Sequence, residues 1–170
     1  MPFPLLPTWL ATAVTDIKPS FLRQQEIRLV MLDFDNTLIP YTTNEPTEPV
    51  KAWLDELKNE GFTVCVVSNS HNRRVPDFCE KYGISCITHA KKPSPGGIQA
   101  CLSQFRISER EAVMVGDQIY TDTLGGNLAG VRTILVKAIH NHTIWLKLRH
   151  VAEMPFIWAS NHRRINCEKS

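Results

Sequence analysis

The sequence predicts an α/β domain: a parallel sheet of about five strands with helices on both faces. Three observations carry this. Short apolar runs alternate with helix-length amphipathic stretches along most of the chain. The runs Thr63–Val67 and Ala112–Val115 are almost continuously apolar, as strands covered on both faces are. Gly61, Gly83 and Gly130 stand just before apolar runs, where a left-handed residue ends the preceding helix. Strand, helix and strand joined by short links give parallel pairing with right-handed crossovers.

The elements follow in order. Strands are predicted at Arg28–Asp33, Thr63–Val67, Ile84–Ile87, Ala112–Val115 and Arg132–Val136. The first helix, Pro49–Asn59, puts Val50, Trp53, Leu54 and Leu57 on one face. Helices at Asn72–Tyr82, Pro95–Phe105, Tyr120–Ala129 and Thr143–Val151 come next, the second of these with Ser94 as N-cap and Pro95 in the first turn. Residues 1–25 hold Phe3, Leu5, Leu6, Trp9, Leu10 and Phe21 without a clean period, and 155–170 hold Phe156, Ile157 and Trp158 before a polar tail. Both ends can pack on the sheet edge or lie on a membrane surface.

With 170 residues, 43% apolar and 21% charged, the chain is expected to form a single domain over 1–170, its core at about 26–155. A chain of this size buries about 70% of its unfolded surface without staples. Disordered, collagen-like and disulfide-dense classes are excluded, and no run reaches the ~18 apolar residues of a transmembrane span. The N-terminal stretch has no basic region and is broken by prolines, so no signal peptide is expected. Cys65, Cys79, Cys86, Cys101 and Cys167 form no CxxC pair, which points to reduced thiols and a cytoplasmic setting. Residues 137–170 carry six Lys/Arg against two Glu, a net +4 that favours an anionic partner or surface. No nucleic-acid partner is expected.

The chemistry concentrates at strand ends. Asp33 and Asp35 follow the first strand directly, and carboxylates at the tip of an apolar strand repel unless a cation joins them. Asp117 and Asp122 follow the fourth strand. Ligands in such sheets bind beyond the carboxyl ends, at the point where strand order reverses, and strands one and four can meet there. Four carboxylates make an oxygen-only site suited to Mg²⁺. Ser68 and Asn69 end the second strand, where a hydroxyl and backbone N–H groups can bind phosphoryl oxygens. Lys91 and Lys92 follow the third, and either can neutralise such an oxygen.

Taken together, Asp33-x-Asp35-x-Thr37-Leu38, Ser68-Asn69, Lys92-Pro93 and Gly116-Asp117-x-x-x-Thr121-Asp122 resemble the four motifs of the haloacid-dehalogenase (HAD) superfamily phosphatases. The stretches LDFDNTL, Ser68–Val75, AKKP and Gly116–Gly130 are similar to the bacterial YqeG-type phosphatases of subclass IIIA, related to phosphatidylglycerophosphate phosphatases. Ser70 and Lys147-Leu148-Arg149 depart from that pattern. The resemblance implies a HAD-like Rossmannoid core without a cap domain. It implies Asp33 as nucleophile forming an aspartyl-phosphate, and Asp35 as acid and base. Mg²⁺ would be held by Asp33, the Asp35 carbonyl and Asp117, with Asp122 either supporting the metal or orienting Lys92. Ser68, Asn69 and Lys92 would bind the phosphoryl group, Lys92 preferred to Lys91 by its proline.

The interval from Asp35 to Ser68 has room for one loop, one helix and one strand, and that from Ser68 to Lys92 for one helix and one short strand, so no cap is inserted. An uncapped site suits a bulky or surface-bound phosphomonoester, or closure by a partner subunit. The leading expectation is a lipid phosphomonoester, phosphatidylglycerophosphate, met by peripheral contact with an anionic membrane. A soluble sugar phosphate or nucleotide is the alternative, and a non-catalytic phosphate-binding module a third. Tyr41, His71, Arg73, Arg74 and Lys91 are placed on loops at the rim, as solvated residues or as contacts for an anionic headgroup.

Overall fold

The computed structural model describes residues 4–139 and 144–165, with only the backbone described along 144–151. Phe3, Thr143 and Cys167 lie outside the described residues, as do the side chains of Lys147-Leu148-Arg149. The described strands are β1 (Trp9–Leu10), β2 (Leu29–Leu32), β3 (Thr63–Val67), β4 (Ser85–Ile87), β5 (Ala112–Gly116) and β6 (Arg132–Leu135). They form one parallel sheet in the order β1-β6-β5-β2-β3-β4. The helices are α1 (Pro19–Gln24), α2 (Glu48–Asn59), α3 (Arg74–Tyr82), α4 (Gly96–Phe105), α5 (Leu124–Leu128) and α6 (Ile144–Ala159). The strand alternation splits the core in two. Val30, Leu32, Val66, Val113 and Val115 face Trp53, Leu54 and Leu57 of α2 and Phe78 of α3. Leu29, Met31, Cys65, Val67 and Met114 face Ile98, Cys101 and Leu102 of α4. Each such side chain contributes about 1.5–3 kcal/mol on full burial, which is why these strands have no polar face.

The structure adds one strand to the five expected. The two-residue β1 pairs with β6, Trp9 beside Ile134 and Leu10 beside Leu135, and is too short to show a period. Trp9 stacks edge-on against Phe21 at 5.2 Å, and Arg132 lies over its ring. The other end of the chain joins the same edge: the Ile165 amide donates to the Leu10 carbonyl at 2.8 Å. Of the two readings of the N-terminal apolar segment, packing on the sheet edge is the one found for Trp9 and Leu10. Leu5 packs against the cluster of Leu10, Ile119 and Leu135.

Three helices differ from expectation, the first being α1, which lies in a stretch without a clean period. The stretch after β5 opens as a single π turn, Ile119–Thr123, before α5. Gly126 lets α5 sit close on the sheet: a Cβ there would meet Thr133 at 2.5 Å. The last helix runs to Ala159, beyond the expected Val151. Among the described residues, no helix is long and apolar enough to cross a membrane.

Candidate active site

The chain turns from β2 to β3 and β4 on one side, and its later strands β5 and β6 lie on the other. β2 and β5 are therefore neighbours, Leu32 level with Val115, and their carboxyl ends form the switch point where such sheets bind ligands. Asp33 follows β2 and its amide donates to the Val115 carbonyl at 2.8 Å. Asn36 takes the left-handed conformation, φ 61°, which an asparagine tolerates. The loop can then fold back, with the Asn36 amide on the Ile39 carbonyl at 2.8 Å. Phe34 is fully buried and packs edge-on against Phe78 at 5.1 Å, so the loop is pinned from below.

Asp33, Asp117 and Asp122 are all buried, and one carboxylate oxygen from each lies within 4.8 Å of the others. Lys92, 5% exposed, reaches into this group. Its Nζ donates to Asp33 Oδ1 at 2.8 Å and to Asp122 Oδ1 at 2.6 Å. Burial alone would push the Lys92 ammonium down, but the charges of Asp122 and Asp33 more than offset it, so its pKa is raised and the group stays protonated. Burial pushes the Asp122 carboxyl up; Lys92 pulls it back, and the Asp33 charge acts with burial. Both Asp122 oxygens are engaged, Oδ2 accepting the Gln118 amide at 3.1 Å. Asp117 Oδ1 accepts from the Thr37 hydroxyl at 3.3 Å.

Ser68 is buried at the end of β3, and its Oγ accepts the Ser70 amide at 3.0 Å, leaving its own hydrogen to donate elsewhere. Asn69 spends its side-chain amide on the backbone of Lys92: Nδ2 donates to the Lys92 carbonyl at 2.8 Å, and Oδ1 accepts the Lys92 amide at 2.7 Å. Lys91 is exposed with φ 56°. The site residues thus converge, with Asp33, Asp35, Ser68, Asn69 and Lys92 lining one cavity of about 170 Å³ together with Tyr41. A second, larger and more apolar cavity, about 350 Å³, lies on the other side of Asp117, between Leu10, Leu135 and Ile157 and rimmed by Lys137 and Arg164.

The donor set fits a divalent cation. Three buried carboxylates against one buried ammonium leave two negative charges in a desolvated site, and the donors are all hard oxygens.

A family model for haloacid dehalogenase-like hydrolases matches residues 42–136. The chain is 34% identical over 131 residues to a probable phosphatase, YqeG, of Bacillus subtilis, covering 77% of this chain and 76% of that protein. It belongs to the haloacid dehalogenase-like hydrolases. It is 28% identical to a glyceraldehyde 3-phosphate phosphatase of Pyrococcus furiosus over 63% of this chain, and spans about half, 48%, of that protein. The cobalt-bound deoxy-D-mannose-octulosonate 8-phosphate phosphatase of Haemophilus influenzae shares the fold, with TM-score 0.54 at 12% identity over 81% of this chain and 91% of that one. Within these hydrolases the chain is a HAD-superfamily phosphatase.

For this HAD phosphatase, one residue of the site escaped the sequence. Arg74 is not a solvated rim cation: its Nη1 donates to Asp35 Oδ1 at 2.7 Å, and its side chain is only 16% exposed. The available signal is its place in the first turn of α3, where the helix dipole disfavours a cation unless a carboxylate faces it. Burial raises the Asp35 pKa and Arg74 acts against it, with the net direction upward.

Proposed function

We propose that the chain hydrolyses phosphomonoesters with Asp33 as nucleophile, through an aspartyl-phosphate, in the presence of Mg²⁺. The observation that supports this best is the placement of Asp33. Its carboxylate is buried at the switch point, 2.8 Å from a protonated Lys92, near Asp117 and on the same cavity as Asp35. Asp33 attacks phosphorus, and Asp35 gives a proton to the leaving oxygen, then takes one from the water that cleaves the acyl phosphate. Lys92 and the Ser68 hydroxyl hold the transferring oxygens. Asn69 acts through the Lys92 backbone it grips, and Asp122 keeps the Lys92 ammonium in place. Asp33, Asp117 and the Asp35 carbonyl would hold the Mg²⁺, with Asp122 behind them; when bound, the ion offsets repulsion between carboxylate and phosphate.

For the substrate, the reading extends to a lipid headgroup phosphate presented at a membrane surface, phosphatidylglycerophosphate being the candidate. With Trp9 and Leu10 packed on the sheet edge, the surface contact in this reading falls to α6. Met154 and Trp158 are four residues apart on one helix face and 49% and 82% exposed, and Met154 borders the larger cavity beside Asp117. An exposed Trp beside apolar neighbours suits the water–lipid interface. The soluble alternative, a sugar phosphate or nucleotide, is supported by the names of the sugar-phosphate relatives. Phosphate release is measured from phosphatidylglycerophosphate vesicles and from a panel of soluble phosphomonoesters, with Mg²⁺ and with chelator. Mg²⁺-dependent release that Asp33→Asn abolishes is expected. Release by that variant, or release unchanged by chelator, contradicts the mechanism, and release from soluble esters alone removes the lipid substrate.

A further inference from the structure

Arg74, in the first turn of α3, reaches both Asp35 and the loop beyond it. Nη1 holds Asp35 Oδ1 at 2.7 Å, while Nη2 donates to the Pro40 carbonyl at 2.5 Å and also to the Thr43 carbonyl. The guanidinium lies 5.1 Å from the Phe34 ring centroid, over a side chain that is itself fully buried. The far end of α3 grips the same loop, with Lys81 Nζ and the Tyr82 hydroxyl donating to Glu45 at 2.5 and 2.6 Å. Residues 40–45 are thereby strapped along α3, and Arg74 is the one strap that ends on a residue of the site cavity.

We propose that Arg74 is a positioning residue for the proton-transfer step: it fixes the Asp35 carboxyl by one oxygen, so that the other is presented to the leaving oxygen of a bound ester. This rests on the phosphatase reading above. The first step breaks the ester P–O bond as Asp33 forms its own bond to phosphorus. The leaving oxygen keeps the electron pair of the broken bond and takes the proton of the Asp35 carboxyl. A guanidinium suits the task because its fixed fork reaches a carboxylate and backbone carbonyls at once, which an ammonium does not reproduce. The stack on Phe34 removes the remaining freedom of the fork. Arg74 makes no hydrogen bond to Asp33, Lys92 or Asp122, so its loss acts through Asp35 and spares phosphoryl binding.

The test is the dependence of rate on leaving group. Wild type, Arg74→Gln and Arg74→Lys are compared on an alkyl phosphate, whose alkoxide leaves poorly without a proton, and on p-nitrophenyl phosphate, whose phenolate leaves without one. The expected result for Arg74→Gln is a fall in kcat of about 10–100-fold on the alkyl ester, the lower end of what general acid catalysis supplies. On the aryl ester the initial burst that reports transfer to Asp33 stays within about threefold, whereas the later hydrolysis, in which Asp35 acts as base, slows alike for both esters. Arg74→Lys restores part of the alkyl-ester rate. In an Asp35→Asn background the same Arg74→Gln change costs nothing further, because the two groups act as a unit. Equal losses in the alkyl-ester rate and the aryl-ester burst, additivity with Asp35→Asn, or no loss at all overturns the assignment; unfolding of Arg74→Gln shifts the test to Arg74→Lys, for which the same contrast decides. A wild-type chain that cleaves neither ester overturns the phosphatase reading and this one with it.

Discussion

The two cavities flanking the β2–β5 switch point differ in what builds them. The smaller one is polar, and its walls come from the loops that follow β2, β3, β4 and β5. The larger one, on the other side of Asp117, is mostly apolar, and its walls come from β1, the end of β6, α6 and Arg164. The first is made of strand tips in the middle of the chain, the second largely of its two ends brought together on one sheet edge. Chemistry is thus placed by the sheet, whereas the environment offered to the rest of a substrate is placed by segments of irregular sequence.

Breaking the polar side should have the largest effect. Lys92→Ala is expected to lower kcat by about 10²–10³, the cost of losing one preorganised electrostatic stabiliser, while Lys91→Ala stays within about threefold. Steady-state kinetics on a soluble aryl phosphate checks both, and a larger loss at Lys91 would reverse the assignment. Gly116→Ala comes next. Its Cβ would sit 2.2 Å from Asp122 Oδ2, so Asp122 must move and release Lys92. A drop of about 10²-fold in kcat, with a modest loss of melting temperature, is expected; unchanged kcat would mean that Asp122 does not hold the lysine in its working position.

This contrast explains what was legible. Asp33, Asp117 and Lys92 could be read because each follows a predicted strand, and the strand order alone brings two of those tips together. The core was legible for the same reason, since a strand covered on both faces cannot hide its composition. β1 was not, because Trp9 and Leu10 acquire their partners only from β6, more than a hundred residues on. The double role of Asn69 was not legible either: that its amide grips the Lys92 backbone depends on β3 and β4 being neighbours at that level. Arg74 looked like a rim cation because nothing local shows that the loop after β2 delivers Asp35 and the Pro40 carbonyl to it.

Perturbing the apolar side should have the smallest and most selective effect. Ser at both Met154 and Trp158 is expected to lower turnover of a vesicle-borne phosphomonoester about 3–10-fold while leaving a soluble aryl phosphate unchanged, because interfacial binding scales with the apolar area inserted. Vesicle sedimentation reads the same change. An equal loss on both substrates would assign this face to packing, and no change on vesicles would separate α6 from any lipid surface.

The central claim is that Asp33 takes the phosphoryl group. Asp35→Asn slows breakdown of an acyl phosphate and so favours its accumulation from an aryl ester, which loads without proton transfer. Acid-quenched protein from that reaction, digested and read by mass spectrometry, is predicted to carry one phosphoryl group on the peptide containing Asp33, and none when Asp33→Asn is added. A phosphoryl group on another residue, or steady turnover with no phosphorylated peptide at any time, would contradict the account.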